Sequence, residues 1–231
     1  ELCDTQDNQV TLLDTASIKL GQHVRLAGED IAVNDVALSK GTRLGAAELG
    51  LLASLGCYQA EVVNAPTVAV FSTGDEVSQP GETLKPNCIY DSNRYTIKAM
   101  ARKLGCNIID LGIIEDNEAA LTAALLQASA KADIVISSGG VSVGNADYIK
   151  TVLAKIGEIN FWRINMRPGR PLAVGKINNS LFFGLPGNPV AVMVSFLQFV
   201  QPALRKLAGE QTWQPQYIPA IADEFLRSKT G

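Results

Sequence analysis

The chain has 231 residues, 47% of them hydrophobic and 19% charged, enough for one large domain or two moderate ones around a real core. Its 20 basic and 23 acidic residues give a net charge of −3 with no basic stripe, which argues against a nucleic-acid partner. No apolar run reaches the roughly 18 residues of a membrane span, so no membrane partner is expected. Cys3, Cys57, Cys88 and Cys106 are widely spaced and form no C-x-x-C pair, so neither a zinc site nor a disulfide framework is expected. Reduced thiols in a cytoplasmic protein are the simplest account. The single histidine, His23, all but excludes histidine-rich metal sites and Cys–His dyads. Any metal should be hard and held by oxygens, which suggests Mg²⁺. The chain starts at Glu1 without a signal-peptide pattern and stops at Gly231 without a closing element, so a fragment of a longer protein is expected.

Taken in order, 9–13 and 23–26 read as short strands, and 41–45 as a turn into a helix over 46–55 that Gly56 stops. A strand is expected at 58–63. Pro66 opens a different regime, with an apolar strand at 68–71, the turn Thr73-Gly74-Asp75-Glu76, and a loop carrying Pro80, Gly81 and Pro86. A helix over 93–104 places Ile97, Met100, Ala101 and Leu104 on one face. A strand at 107–111, a turn with Glu115-Asp116-Asn117 and an alanine-rich helix over 118–131 follow. A buried strand at 134–137 then enters a glycine-rich turn with Gly139, Gly140 and Gly144, before a helix over 147–156. Strands are expected at 159–164, 171–174 and 180–183. The turn Gly184-Leu-Pro-Gly-Asn-Pro189 leads into a long helix over 190–207, with Pro189 at the first helical position. Alternating strands and helices with short links predict a mostly parallel sheet covered on both faces, a three-layer αβα fold.

Ligands of such sheets bind beyond the carboxyl ends of the strands. Those positions hold Asp75 and Glu76, then Glu115 and Asp116, then the glycine turn with Asp147, then Asn188. Three glycines allow close backbone approach, and free amides at the next helix start favour an anion. Acids beside an anion cradle repel the anion unless a cation lies between, and Mg²⁺ with a phosphate ligand resolves this. Helix capping remains open for Asp116, Asn117 and Asp147, and for Asp91 or Ser92. Arg163, Arg167 and Arg170, on a stiff loop with Pro168 and Pro171, suit an oxyanion or phosphate, or simply a charged surface hairpin. Gly140-Val-Ser142-Val-Gly144 matches a nucleophile elbow literally, but that site needs a histidine later in the chain and His23 precedes it. Neither a dinucleotide fingerprint nor a P-loop is present.

Five motifs in order carry a resemblance. They are Phe71-Ser-Thr-Gly-Asp-Glu76, Ile89-Tyr-Asp-Ser-Asn93, Ser137-Ser-Gly-Gly-Val-Ser-Val-Gly144 with Asp147-Tyr148, Met166-Arg-Pro-Gly-Arg-Pro171, and Gly184-Leu-Pro-Gly-Asn-Pro189. Together they resemble the molybdopterin molybdenumtransferases, the MoeA and gephyrin E-domain family, over about 22–209. The resemblance implies a Mg²⁺-dependent transferase that inserts molybdate into adenylylated molybdopterin and releases AMP. It implies that 64–207 is the αβα molybdopterin-binding domain, 1–63 part of a second, mostly β domain, and 208–231 the start of a C-terminal β-barrel. It implies an elongated homodimer whose site draws on both subunits, with the adenylyltransferase of the same pathway as a further expected contact.

Carried over residue by residue, the family's acidic positions fall on Asp30, Glu76, Asp116 and Asp147, with Glu76, Asp116 and Asp147 as the expected metal ligands. Substrate-binding positions fall on Asp91 and Asn93, on Gly139, Gly140, Ser142 and Gly144 of the glycine turn, on Arg163 and Arg167, and on Pro186, Asn188 and Pro189. Asn145 stands where the family pattern leads one to expect an acid, and an amide carries no charge to balance a metal. Two other readings share the fold: a molybdopterin adenylyltransferase, disfavoured by the extra segments 1–63 and 208–231, and a scaffold or binding module without activity.

Overall fold

A computed structural model describes residues 3–13, 19–140 and 148–225. Ser142, Gly144, Asn145 and Asp147 lie outside them. The chain divides into two compact units: Glu1–Lys40 with Leu44–Gly56, and Gly41–Arg43 with Cys57–Gly231.

The first unit holds an antiparallel hairpin, β1 (Cys3–Gln6) with β2 (Gln9–Leu12), and helix α1 (Ala46–Ser54). Asp7 and Asn8, at φ 48° and 63°, form its two-residue turn. Left-handed conformations at both positions match the twist of the strands, and Asp and Asn tolerate them. The α1 start is held by the Glu48 carboxylate, which accepts the Gly45 amide at 2.9 Å. The strand expected at 23–26 does not form. Gly21 and His23 take φ of 80° and 60°, which turns the chain rather than extending it.

The second unit is a three-layer αβα domain. Its six-stranded sheet has the order β6-β3-β7-β10-β9-β8. The strands are β3 (Thr67–Thr73), β6 (Asn107–Ile114), β7 (Ile134–Ser138), β8 (Gly157–Arg163), β9 (Pro171–Ile177) and β10 (Ser180–Leu185). β6, β3, β7 and β10 pair in parallel, and β9 and β8 close the edge by antiparallel pairing. A separate two-residue parallel ladder joins β4 (Val77–Ser78) to β5 (Ile89–Tyr90), neither of which was expected. The strand expected at 58–63 is absent. Its residues are exposed, and β propensity without a neighbouring ladder does not make a strand.

Period-two alternation on β3 sends Val68 and Val70 to one face and Ala69 and Phe71 to the other. Helix α2 (Asn93–Lys103) covers the first face with Ile97 and Ala101, together with the long C-terminal helix. Helices α3 (Glu118–Ser129) and α4 (Tyr148–Ile156) cover the second with Leu121, Leu125, Ala128, Ile149, Val152 and Leu153. The C-terminal helix is α5 (Pro189–Ser195), a π turn (Phe196–Val200) and α6 (Gln201–Leu207). Its buried residues Val192, Phe196, Val200 and Leu204 recur every four positions. That spacing drifts by about 40° per step around a 3.6-residue helix, and the wider turn takes up the drift. Beyond it, 208–225 form turns and irregular backbone.

All four cysteines are free, and burial, then the Asp133 charge, pushes the Cys106 thiol up. Among the described residues no helix is long and apolar enough to cross a membrane. Phe182 is fully buried where β10 meets α3 and α4. Phe182→Ala should cost about 3–5 kcal/mol in denaturant unfolding.

Candidate active site

Strand order and helix placement together locate a crevice. From β3 the chain passes to α2 on one face, and from β7 to α4 on the other, so the sheet switches winding between these neighbours. At their carboxyl ends stand Thr73-Gly74 and Gly139-Gly140. The fit there is close. A Cβ at Gly139 (φ 85°) would stand 2.6 Å from the Thr73 carbonyl oxygen. One at Gly140 (φ 68°) would meet Ile149 Cδ1 at 2.4 Å and Thr73 Cγ2 at 2.9 Å. Gly139 is therefore required by packing against β3 as well as by its backbone conformation, and Gly140 by its conformation, with the Ile149 and Thr73 side chains crowding a Cβ there.

Beyond this edge opens a cavity of about 780 Å³. Glu76, Gly139 and Gly140 form one side of its lining. The β8–β9 loop contributes Asn165, Arg167, Pro168, Gly169 and Arg170, and the β10–α5 loop contributes Pro186, Gly187 and Asn188. β8 runs parallel to β10, so Arg163, paired with Pro171, ends at the same edge. A second, smaller cavity of about 60 Å³ is lined by Ser72, Thr73, Glu76, Asp91, Asn93, Ser138, Gly139 and Pro189 among others. Ser72 Oγ and Asn93 Oδ1 are buried there without a hydrogen-bond partner, polar atoms of the kind a ligand or water satisfies.

Glu76 lines both cavities. Its carboxylate folds back over Gly74, where a Cβ would stand 2.5 Å from Oε2. It is exposed, and no hydrogen bond or ion pair to a described residue holds it. Asp116 follows β6 and accepts the Thr73 hydroxyl at 3.5 Å. It does not cap α3; Asn117 does, accepting the Ala120 amide at 2.9 Å. The capping alternative is thus settled for this pair, and Asp116 sits beside a residue that lines the smaller cavity with Glu76. Among the described residues no three His, Cys, Asp or Glu side chains come together, and Asp147, the third expected ligand, is not one of those residues. Asp30 lies in the first unit, exposed and paired with Arg25.

The other expected residues divide. Pro186 and Asn188 line the larger cavity and Pro189 the smaller. Asn188 also caps α5, accepting the Ala191 amide at 3.1 Å with Pro189 at the first position. Asn93 donates to the Gly187 carbonyl at 2.8 Å and so holds the same loop. Asp91 lines the smaller cavity but is buried, and its carboxylate is engaged by the amide and side chain of Arg94, at 3.1 and 2.8 Å. Arg170 lines the larger cavity alongside Arg167; its place in the Pro-Gly-Arg-Pro run was the available signal. Thr73 and Arg94 were not expected, because nothing in a single sequence shows which strand ends meet.

Burial alone would raise the Asp110 carboxyl; the Lys98 ammonium, the Gly112 amide and the Arg94 guanidinium outweigh it and hold it below the usual range. Burial would likewise lower the Arg94 pKa, and Asp91 and Asp110 reverse that to a net rise.

The family model described as "Probable molybdopterin binding domain" matches residues 69–206, and one described as "MoeA N-terminal region (domain I and II)" matches 1–56. The chain is 46% identical over 230 residues to a Haemophilus influenzae protein named molybdopterin molybdenumtransferase, covering 96% of this chain and 57% of that one. It is 40% identical over 231 residues to gephyrin of Dictyostelium discoideum, covering 88% and 32%. A solved molybdopterin biosynthesis MoeA protein from Pyrococcus horikosii superposes with a TM-score of 0.71 at 31% identity, over 91% of this chain and 52% of that one. The chain belongs to the MoeA/gephyrin family of molybdopterin-binding proteins. It spans about half the length of the molybdenumtransferases it matches.

Two outcomes are expected. Gly139→Ala should destabilise the domain by about 1–3 kcal/mol, since both its φ and the Thr73 carbonyl oppose it, whereas Gly187→Ala, with open space at its Cβ, should be tolerated in the same unfolding assay. Because the folded Asp110 pKa lies below its unfolded value, its stabilisation is complete above about pH 4 and is lost as pH falls through the folded pKa. Asp110→Asn should remove that part of the acid limb when unfolding is followed against pH.

Proposed function

We propose that this chain is the pterin-binding part of a molybdopterin molybdenumtransferase, which inserts molybdate into adenylylated molybdopterin and releases AMP in molybdenum cofactor biosynthesis. The observation that carries the reading is the meeting of Glu76, the Gly139-Gly140 turn, Arg167, Arg170 and the 184–189 loop around one cavity, in a chain 46% identical to a protein of that name. About 780 Å³ suits a small-molecule site.

In this reading the bare backbone at Gly139 and Gly140 lets a phosphate approach the sheet edge, and the family likeness assigns Ser142 and Gly144 to the same substrate. Arg163 and Arg167 supply positive charge for the phosphates and for molybdate, the second substrate. Asp91, Asn93, Pro186, Asn188 and Pro189 bound the pterin side. The family likeness makes Glu76, Asp116 and Asp147 the acids that meet the substrate, with Asp30 as a further expected acid. Hard carboxylate oxygens of this kind fit Mg²⁺, and Glu76 in particular has no described partner to give up. When bound, the ion would offset the charge on the pyrophosphate as its bond breaks. The protein's own task is to orient that bond toward the dithiolene end of the substrate and to keep the acids and phosphates in register. The same reading makes the protein a cytoplasmic homodimer that meets the pathway's adenylyltransferase.

Glu76→Gln in the full-length protein should lower molybdate-dependent AMP release by about 100-fold or more while leaving molybdopterin binding within a few-fold. Unchanged AMP release would remove Glu76 from the mechanism. Adenylate formation from molybdopterin and ATP would instead favour an adenylyltransferase.

A further inference from the structure

Arg94 carries a charge into the interior. Its side chain is 3% exposed and that of Asp91 1%. The guanidinium donates in three directions: Nε to Asp91 Oδ2 at 2.8 Å, Nη1 to Asp110 Oδ1 at 2.5 Å and Nη2 to Gln79 Oε1 at 2.5 Å. Asp110 belongs to β6 and is held from its other oxygen by Lys98. Gln79 is the residue after β4, and Asp91 is the residue after β5.

β4 is the immediate continuation of Glu76, and β5 pairs with it. The Ile89 amide donates to the Glu76 carbonyl at 2.8 Å, and the Asp91 amide to the Ser78 carbonyl at 2.9 Å. A ladder of two residues per strand has no stability of its own. One planar fork therefore fastens the far ends of both strands to β6, the edge strand of the large sheet, while the near end presents Glu76 to both cavities. A buried ion pair is a poor source of net stability compared with apolar packing. What the fork supplies is geometry, because guanidinium donors point in fixed directions.

We propose that Arg94 is a positioning residue: through Gln79, Asp91 and Asp110 it sets the 76–91 segment and so the place of the Glu76 carboxylate over the cavity. Its consequence for turnover rests on the molybdenumtransferase reading above; the clamp itself does not.

The test uses the full-length protein with Arg94→Lys, which keeps the charge and loses the fork. Amide exchange at Ile89 and Asp91 should quicken about tenfold or more while β3 and β7 amides stay unchanged. The kcat for molybdate-dependent AMP release should fall about tenfold or more, with KM for the adenylate within about twofold. Unchanged exchange at Ile89 and Asp91, or quickened exchange with unchanged kcat, overturns the proposal. Should Arg94→Lys fail to fold, Gln79→Met removes one arm alone; it should move exchange and kcat the same way by about threefold, and no change in either overturns the proposal. If the unaltered protein releases no AMP with molybdate, the functional reading fails and the exchange measurements alone decide the clamp.

Discussion

The structure turns on a contact with no side chain in it. Where β7 leaves the sheet, the Gly139 backbone passes so close to the Thr73 carbonyl that a methyl group does not fit. That approach closes the gap between β3 and β7 at the point where the sheet reverses its winding. It brings the glycine turn beside the segment that leads to Glu76. The cavity exists because the backbone at its base is bare and the walls around it are built from other loops.

Those walls are held by hydrogen bonds, each matched to a local need. Asn188 caps α5, and Asn93 reaches across from α2 to the Gly187 carbonyl, so the β10–α5 loop is held where it enters α5. Asn117 caps α3 and thereby leaves Asp116 to face Thr73. Arg94 does the corresponding work for the short strands after Glu76. The Glu76 carboxylate, which no described residue holds, is thus separate from the residues that fix the backbone. A carboxylate already committed to a cap or an ion pair, as Asp91 is, has less to offer a ligand.

Membership of the MoeA/gephyrin family and the cavity's lining point the same way but from different evidence. Identity over nearly the whole chain is a property of the sequence as a whole. The cavity depends on a few residues from loops far apart in sequence, 74–76, 139–140, 164–170 and 186–188. The first defines the family; the second says what this chain presents at its sheet edge.

Residue order alone determined the layered fold. Short apolar runs, helical spacing and alanine propensity marked every long strand and helix of the second unit, and the five motifs pointed to the family, because both are written in local composition. It failed where neighbours decide. Residues 23–26 and 58–63 have strand-forming side chains and no strand to pair with, while Val77-Ser78 and Ile89-Tyr90 form a ladder beside the contacts of Arg94 with Asp91 and Gln79, which lie far apart in local sequence terms. Sequence could not tell which of Asp116 and Asn117 capped α3 and which met Thr73, since both roles favour short polar residues at the same place. Only the tertiary structure separated Asn117 from Asp116 and set Thr73 against the glycine turn, because contacts between distant strand ends follow from sheet order, and no local pattern encodes it.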